Sequence, residues 1–327
     1  MELKDEFEKL VARFRGRRVY IAGHRGMVGA ALVRAMEPLD AQLIKRTSAE
    51  LDLRNQAATA AFFASERPEI VLFAAAKVGG IQANATAPAE FLYDNLAMAT
   101  HAIQSAYEFG TERFVFLGST CIYPRLAPQP MPESALMTSE LEPTNEGYAL
   151  AKIVGLKLCQ MYRRQYGVLF HSLMPTNLYG PGDNYHPDHA HVLPALIRRI
   201  HQTQEEGQPT VTIWGSGRPL RELLHVDDLA AATLHVAALE DPPDWLNVGS
   251  GDELSILELA KMVADIAGYQ GEIVVDSSRP DGTPRKLADA SRLRATGWQP
   301  KIPLREGIER TYQDFVRERE RGLLRVK

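Results

Sequence analysis

Tyr148 and Lys152 lie four residues apart in a stretch with helical periodicity, which places both side chains on one face of a helix, one turn apart. A phenol has a pKa of about 10, and a nearby ammonium group favours its ionised form and moves that pKa toward neutrality. Ser119 follows an apolar run that ends at Gly118, where its hydroxyl could donate a hydrogen bond to a carbonyl oxygen. Together, the three side chains predict hydride transfer to a carbonyl carbon, with the phenol carrying the proton.

Cys121 lies two residues beyond Ser119, in the segment Gly-Ser-Thr-Cys-Ile-Tyr-Pro that ends at Pro124. Buried cysteines are usually inert packing residues, and we interpret Cys159 in that way. Cys121 differs because it follows a strand at the carboxyl edge of a predicted parallel sheet, where ligands bind. A thiol pKa of about 8.5 is readily lowered by a neighbouring cation, so Cys121 is a candidate base for a carbon-bound proton.

Epimerisation of a carbon next to a ketone requires a second acid–base group on the opposite face of the ring. The segment after about residue 169 is rich in Pro, Gly, Asn and His, and irregular segments of that length are usually functional. It offers His186, His189 and His191, and the residues alone do not decide among them. Their spacing fits neither a helical nor a finger-type metal site, so we predict no metal.

Gly23, Gly26 and Gly29 follow a β-branched run and open a helical pattern, which predicts a dinucleotide-binding turn. Sites for NAD usually carry an acidic residue after the second strand, but Arg46 occupies that region here, and Arg25 lies within the glycine turn. Two guanidinium groups without an acidic partner favour the 2′-phosphate of NADP(H). The alternative, that Arg46 is a solvated surface charge, stays open.

Short apolar runs alternate with longer helical patterns along the first half of the chain. This alternation predicts an α/β fold, with a Rossmann-like doubly wound parallel sheet and a smaller α/β carboxyl-terminal substrate domain. Residues 51–53 are assigned to the end of a strand, where Asp52 could meet an adenine. Long helices are predicted at 89–110 and 147–166, and Ser255 with Glu258 predicts a capping box.

Two domains are predicted. Residues 17–180 form the NADP-binding domain, to which a segment at about 220–250 returns, and residues 181–327 mainly bind a nucleotide sugar; residues 1–16 form an amino-terminal extension.

The 327 residues include 37 basic and 41 acidic side chains, scattered rather than massed, which argues against nucleic-acid binding. No apolar run approaches the roughly 18 residues of a membrane span. Two cysteines form no disulfide framework and suit a reducing cytoplasm, so we predict a cytoplasmic protein.

The glycine turn with Ser119, Tyr148 and Lys152 resembles an extended short-chain dehydrogenase/reductase, and LLHVDDLA at 223–230 is similar to a signature of that group. Seven segments resemble the GDP-L-fucose synthase family, over nearly the whole chain after residue 16: IAGHRGMVG, AAAKVGGI, GSTCIYP, LEPTNEGYALAK, MPTNLYGPGDNYHPDHAHVLPAL, VTIWGSGRPLRELLHVDD and RPDGTPRK. The resemblance implies NADPH-dependent 3,5-epimerisation and 4-reduction of GDP-4-keto-6-deoxy-D-mannose to GDP-L-fucose. It also implies a homodimer formed through the two long helices.

The resemblance assigns the second proton carrier to His191. Sugar-nucleotide dehydratases carry Asp-Glu where this chain has Thr120-Cys121, and a thiol does not easily protonate a leaving hydroxide, so dehydration is disfavoured. Two rivals remain: a 4-epimerase of a UDP-sugar that retains its NAD, and a catalytically silent NADP-binding scaffold. The scaffold would be expected to lose Tyr148 or Lys152, and this chain keeps both.

The predicted catalytic set is Ser119, Cys121, Tyr148, Lys152 and His191. Cofactor contacts are predicted for Gly23, His24, Arg25, Gly26, Met27, Val28, Gly29, Arg46, Asp52, Leu117, Gly118, Ser119, Thr120, Tyr148, Lys152, Pro175, Thr176, Asn177, Leu178 and His191. Cations and a flat surface for the GDP end are predicted at Arg199, Trp214, Arg221 and Asp281, with packing as the alternative for Trp214. The role of Lys77 is open. Ser48 stands where relatives can carry an arginine, which predicts milder discrimination against NADH.

Overall fold

The computed structural model describes residues 2–187, 189–278 and 281–326. Strands and helices alternate through the first half of the chain, as predicted. These elements are α1 (Glu2–Phe14), β1 (Arg18–Ala22), α2 (Met27–Met36), β2 (Gln42–Ile44), α3 (Gln56–Glu66), β3 (Ile70–Phe73), α4 (Ile81–Thr86), α5 (Pro88–Glu108), β4 (Arg113–Leu117), α6 (Glu146–Tyr166) and β5 (Leu169–Pro175). The second half adds β6 (Asn177–Tyr179), α7 (Val192–Glu205), β7 (Thr210–Trp214), β8 (Leu220–His225), α8 (Val226–Ala238), β9 (Trp245–Val248), β10 (Glu253–Ser255), α9 (Ile256–Ala267), β11 (Glu272–Asp276), β12 (Arg285–Lys286), α10 (Ser291–Arg294) and α11 (Leu304–Glu320).

The central sheet has six parallel strands in the order β2-β1-β3-β4-β5-β9. The chain moves outward from β1 to β2 and then crosses back to β3, so the direction of winding changes between β1 and β3. In doubly wound sheets, ligands bind outside the carboxyl ends of the strands at this point. The glycine turn after β1 therefore lies where a dinucleotide is expected.

Helices cover both faces of the sheet. Because successive side chains of each strand point to opposite sides, each face has its own set of buried residues. One face carries large aromatic residues, including Tyr20, Phe73 and Phe116, which pack against α3, α5 and α6. The other face carries aliphatic residues such as Ile21 and Val115, which pack against α1, α2 and α8. The sheet is thus a rigid middle layer that fixes the loops at its carboxyl edge.

A third core lies in the carboxyl-terminal half, where α7, α9 and α11 pack around the parallel pair β7 and β11. Strand β8 pairs in turn with β6, β10 and β12 and links this part of the chain to the central sheet region. The division into 17–180 with 220–250, and 181–327, stays a prediction. No helix among the described residues is long and apolar enough to cross a membrane.

Several predicted elements are confirmed and one is wrong. The long helices appear as α5 and α6, and Ser255 and Glu258 form the predicted capping box at the start of α9. Residues 51–53 do not form a strand end; Leu51 and Leu53 are instead buried in the core from an irregular segment before α3. The prediction failed because Leu51 and Leu53, on either side of Asp52, produce the alternating apolar pattern that is typical of a strand. In the amino-terminal extension, α1 is held by the fully buried Phe14.

Candidate active site

The turn after β1 forms a cradle that only glycine permits at two positions. Gly23 has φ of +78°, and a Cβ there would lie 2.8 Å from the Ala74 carbonyl oxygen. A Cβ on Gly29 would lie 2.1 Å from the Gly23 carbonyl oxygen. Helix α2 begins after Gly26, with no side-chain cap and no acidic residue in its first turn. Its free N–H groups and dipole therefore suit an anion, and the cradle fits a pyrophosphate.

The two arginines beside this turn differ in their surroundings. Arg25 is exposed, whereas Arg46 Nη2 donates to the Glu66 carboxylate and its guanidinium lies 5.8 Å from the centre of the Phe62 ring. The expectation that Arg46 has no acidic partner is therefore wrong. Sequence reasoning missed Glu66 because it lies twenty residues away, in the last turn of α3. The guanidinium of Arg46 remains partly exposed.

Asp52 is paired within its own segment. Its carboxylate accepts from Arg54 Nε at 2.9 Å and from Arg54 Nη2 at 2.9 Å, and these bonds lower the pKa of Asp52. Arg54 Nη1 also donates to Asp94 at 3.2 Å, and Asp94 accepts from Lys77. An adenine contact for Asp52 stays a prediction. Lys77, whose role was open, belongs to a charge network that joins this segment to α5.

Lys152 is buried beneath the end of β4. Its Nζ donates to the Leu117 carbonyl oxygen at 2.8 Å and lies 4.9 Å from the centre of the Phe116 ring and 5.6 Å from that of Tyr148. Burial lowers the pKa of Lys152 to about 7. Phe116 comes so close to α6 that a Cβ at position 155 would lie 2.3 Å from its ring. Gly155 thus lets the helix seat Lys152 against the sheet.

Tyr148 shares this face of α6, one turn before Lys152. Burial raises the pKa of Tyr148, and the charge of Cys121 adds to the effect. The expectation that Lys152 lowers this pKa is therefore wrong for this structure, in which burial has the largest effect. The influence of Cys121 also shows that the thiol and the phenol are neighbours. A protonated phenol is the form that can give a proton to a substrate oxygen.

Cys121 lies in a single 3₁₀ turn that follows β4. Ser119 caps this turn, because its Oγ accepts a hydrogen bond from the Cys121 N–H at 3.2 Å. The end of the turn is fixed by Tyr123, whose hydroxyl donates to Asn247 Oδ1 at 2.6 Å in a buried contact. The thiol is free and partly exposed, in a pocket that also includes Lys286. Asn247 and Lys286 were missed from sequence because both lie more than a hundred residues away.

His191 occupies the N-cap position of α7, and its side chain makes no capping hydrogen bond there. Its side chain is exposed to solvent. Desolvation by the neighbouring protein atoms lowers the pKa of His191, and the charge of Lys286 adds to this effect. Lys286 therefore lies near His191 and also lines the pocket that contains Cys121. The His186 and His189 rings stack on each other at 4.2 Å, and the His189 N–H donates to His186 Nδ1 at 3.2 Å.

The predicted substrate residues form two pairs in the carboxyl-terminal half. The Arg199 guanidinium lies 5.1 Å from the centre of the exposed Trp214 ring and donates to the Thr212 carbonyl oxygen at 2.8 Å. Asp281 accepts from Ser216 at 2.8 and 2.7 Å, and its charge reaches the neighbouring Arg221. The structure brings each pair together. Arg279 and Pro280 of the same loop lie outside the described residues.

The remaining predicted cofactor residues lie along the carboxyl edge of the sheet. His24 belongs to the glycine turn, and Met27 and Val28 open α2. Leu117, Gly118 and Thr120 surround the end of β4, and Pro175, Thr176, Asn177 and Leu178 join β5 to β6. Among the described residues, no three His, Cys, Asp or Glu side chains gather as metal ligands.

A sequence model of the NAD dependent epimerase/dehydratase family matches residues 19–249, more than half of the chain. The chain belongs to this family. It is 52% identical over 301 residues to GDP-L-fucose synthase 1 of Arabidopsis thaliana, covering 92% of this chain and 93% of that protein. It is 51% identical over 315 residues to GDP-L-fucose synthase of Escherichia coli K12, covering 93% and 98%. A crystal structure of a GDP-L-fucose synthetase from Naegleria fowleri bound to NADP superposes with a TM-score of 0.84 at 27% identity, covering 94% and 96%.

Proposed function

We propose that this protein converts GDP-4-keto-6-deoxy-D-mannose to GDP-L-fucose by 3,5-epimerisation followed by NADPH-dependent 4-reduction. Identity of about one half to GDP-L-fucose synthases, over more than nine-tenths of the chain, supports this reaction. The single observation that carries it is the packing of the 3₁₀ turn that holds Cys121 against α6, the helix that carries Tyr148 and Lys152. A thiol next to a phenol that can hold a ketone oxygen is suited to exchanging the protons on the adjacent carbons.

In the epimerisation, Cys121 removes the proton from one face of the sugar and His191 delivers a proton to the other. Desolvation favours the neutral imidazole, so His191 takes up a proton before it can donate one. Ser119 and Tyr148 donate hydrogen bonds to the oxygen at C4, where negative charge develops in the enolate. The proton carriers for the two faces of the sugar ring thus come from different parts of the chain, the turn after β4 and the start of α7.

In the reduction, the bound cofactor would supply a hydride to C4 of the sugar. Tyr148 donates its proton to the oxygen at C4, and the raised pKa keeps that proton available at neutral pH. Lys152 holds the nicotinamide ribose, and its bond to the Leu117 carbonyl oxygen fixes the direction of its Nζ. Ser119 stabilises the oxygen as the carbonyl becomes a hydroxyl.

The preferred cofactor is NADP(H), bound by the glycine turn with Arg25 and Arg46 near the 2′-phosphate. Arginine pairs well with phosphate, and the Arg25 side chain is exposed. Arg46 must share its charge with Glu66, and Ser48 adds none. The preference for NADPH over NADH is therefore expected to rest mainly on Arg25. Binding of both forms to Arg25→Ala, by quenching of protein fluorescence, tests this assignment.

The GDP portion binds to the carboxyl-terminal half. Trp214 offers an exposed ring to the guanine, backed by the Arg199 guanidinium. Arg221 and Arg199 supply positive charge for the diphosphate, and Asp281 accepts hydrogen bonds from the base or ribose. We propose on this basis that residues 181–327 act mainly as the nucleotide-sugar domain and residues 17–180 with 220–250 as the NADP-binding domain.

The proposed assembly is a homodimer through α5 and α6, in the cytoplasm. These helices pack on each other, and α6 exposes Leu150, Val154 and Met161 on its outer side, while α5 exposes Tyr93. Apolar patches of this kind on long helices favour helix pairing between subunits. Two free cysteines suit a reducing compartment. Sedimentation of the wild type against Val154→Glu tests the dimer, since a charge at that interface should yield monomers.

One assay separates this proposal from both rivals: the protein is mixed with GDP-4-keto-6-deoxy-D-mannose and NADPH, and loss of nicotinamide absorbance is followed. The proposed enzyme oxidises one NADPH for each GDP-L-fucose formed. A 4-epimerase that retains its cofactor, or a silent binding protein, oxidises none. No oxidation by protein that binds NADPH would refute the proposed function.

A further inference from the structure

The carboxyl-terminal segment folds back onto the loop that leads to His191. After α11 the chain turns at Gly322, and Leu324 packs against the third core. The carbonyl oxygen of Arg325 then accepts a hydrogen bond from the Tyr185 N–H at 2.9 Å. Its guanidinium Nη1 donates to the Gly182 carbonyl oxygen at 3.2 Å. One residue near the end of the chain thus holds the loop at two points.

The held residues also face the cofactor cradle. Gly182 has φ of +79°, and a Cβ there would lie 3.9 Å from the Cα of Met27, the first residue of α2. From this point the loop is tied internally, because Asp183 Oδ1 accepts from the Asn184 N–H at 2.7 Å and Asn184 Oδ1 accepts from the His186 N–H at 3.2 Å. These hydrogen bonds link the backbone position of Gly182 to the positions of the following residues, which lead toward His191.

Arg325 also lies close to a buried carboxylate in this loop, that of Asp183. Asp183 is only 4% exposed, and its Oδ2 has no hydrogen-bond partner within the described parts of the chain. Burial raises the pKa of Asp183, and the charge of Arg325 opposes that effect. The other charged groups around the loop are Glu318 and Asp314 of α11, whose charges act on Tyr185, and Arg198 of α7, whose Nη1 donates to the Tyr185 carbonyl oxygen at 2.6 Å. Of the two arginines, Arg325 is the one whose charge acts on the buried Asp183 carboxylate.

We propose that Arg325 is a positioning residue that fixes residues 182–186 against the start of α2, and so sets both the cofactor cradle and the approach of the loop to His191. This role rests on the proposed function, since His191 matters here as a proton carrier. The carboxyl-terminal segment would then have a role in the site, although it contains none of the predicted catalytic or ligand-binding residues.

The test compares Arg325→Ala with Arg321→Ala, an exposed arginine of the same segment, as the matched control. NADP⁺ should bind about tenfold more weakly to Arg325→Ala, because the loop is then no longer fixed at Gly182 beside the start of α2. Amide hydrogen exchange at residues 184–186 should speed up by a similar factor. With substrate, exchange of solvent deuterium into C3 and C5 should slow about tenfold, whereas Arg321→Ala should match the wild type in all three measurements.

A second variant tests whether the Asp183 carboxylate is the group that Arg325 balances. Asp183→Asn removes the carboxylate that Arg325 balances, so the double variant Arg325→Ala/Asp183→Asn should recover about threefold or more of the lost NADP⁺ affinity. If Arg325→Ala does not fold, the same rescue should appear as recovery of soluble, NADP⁺-binding protein. Unchanged NADP⁺ binding and hydrogen exchange in Arg325→Ala, or no rescue in the double variant, would overturn the inference. Because neither readout needs the sugar, both remain decisive even if the wild type fails to turn over GDP-4-keto-6-deoxy-D-mannose.

Discussion

Lys152 should destabilise the folded protein when no cofactor is bound. The side chain is 4% exposed, and burial alone lowers its pKa from 10.5 to about 7. The positive charge is thus less favourable in the folded protein than in the unfolded chain, where water surrounds it. Lys152→Met removes the charge while keeping a long, flexible apolar side chain in the same space.

The size of the effect follows from the pKa. One pKa unit corresponds to about 1.36 kcal/mol, so the full shift amounts to about 5 kcal/mol as an upper bound. The variant loses the hydrogen bond to the Leu117 carbonyl oxygen and the contact of the charge with the Phe116 ring, together about 2 kcal/mol. We therefore expect Lys152→Met to raise the free energy of unfolding by about 2–3 kcal/mol at pH 6.

The stability gained by Lys152→Met over the wild type should decrease as the pH rises. Below pH 7 the lysine is charged in both states and the full penalty applies. Between pH 7 and about 10 the unfolded chain holds a proton that the folded protein has released, so wild-type stability rises with pH through this residue. The difference between variant and wild type should therefore shrink across this range, and at high pH the wild type should be the more stable.

Urea unfolding at pH 6, 7.5 and 9 without cofactor measures this difference, with Lys261→Met on the exposed side of α9 as the control. The control should change stability by less than 0.5 kcal/mol, roughly, at every pH. Lys152→Met should also bind NADP⁺ poorly and lose most of its activity. A variant less stable than the wild type at pH 6, or a difference that does not change between pH 6 and pH 9, would refute the reasoning.

Cys121→Ser should slow solvent-deuterium exchange at C3 and C5 of the substrate by about a hundredfold or more while NADP⁺ binding is unchanged; exchange at the wild-type rate would show that another group is the base. Gly29→Ala should abolish measurable NADP⁺ binding, because its Cβ would lie 2.1 Å from the Gly23 carbonyl oxygen, and unaltered binding would contradict the cradle. Arg113→Met should cost about 3 kcal/mol in urea unfolding, since the buried guanidinium donates to three carbonyl groups at and beyond the end of α8, at Ala237, Leu239 and Glu240. A loss below about 1 kcal/mol would mean that water replaces these bonds.

The parts of the site that were predictable from sequence are those fixed by neighbours in the chain. The glycine turn requires small residues at set intervals between a strand and a helix, and the spacing of Tyr148 and Lys152 is one helical turn. The capping box at Ser255 and Glu258 is likewise a contact across three residues. In each case the geometry follows from local backbone structure, so the residue pattern was enough to locate it.

The pairing of charges was not predictable, because it depends on which elements the fold brings together. Arg46 follows β2 and Glu66 ends α3, so their ion pair exists only once the fold brings the end of the strand β2 next to α3. The pKa of Tyr148 shows the same limit in another form. Its spacing from Lys152 was read correctly, but the direction of the shift depends on burial, which the spacing does not contain.

The position of Cys121 depends on residues far along the chain. Its turn ends at Tyr123, whose hydroxyl binds Asn247, and the Asn247 amide donates to the Met131 and Asp289 carbonyl oxygens at 2.9 and 3.1 Å. One buried amide therefore joins the segment that follows the turn, at Tyr123 and Met131, to Asp289 in the part of the chain that carries Lys286. Since Lys286 reaches both the Cys121 pocket and His191, the network that places the thiol also places its cationic neighbour. Cys121 is thus positioned by contacts between the two halves of the chain, which explains why its surroundings could not be predicted from its own segment.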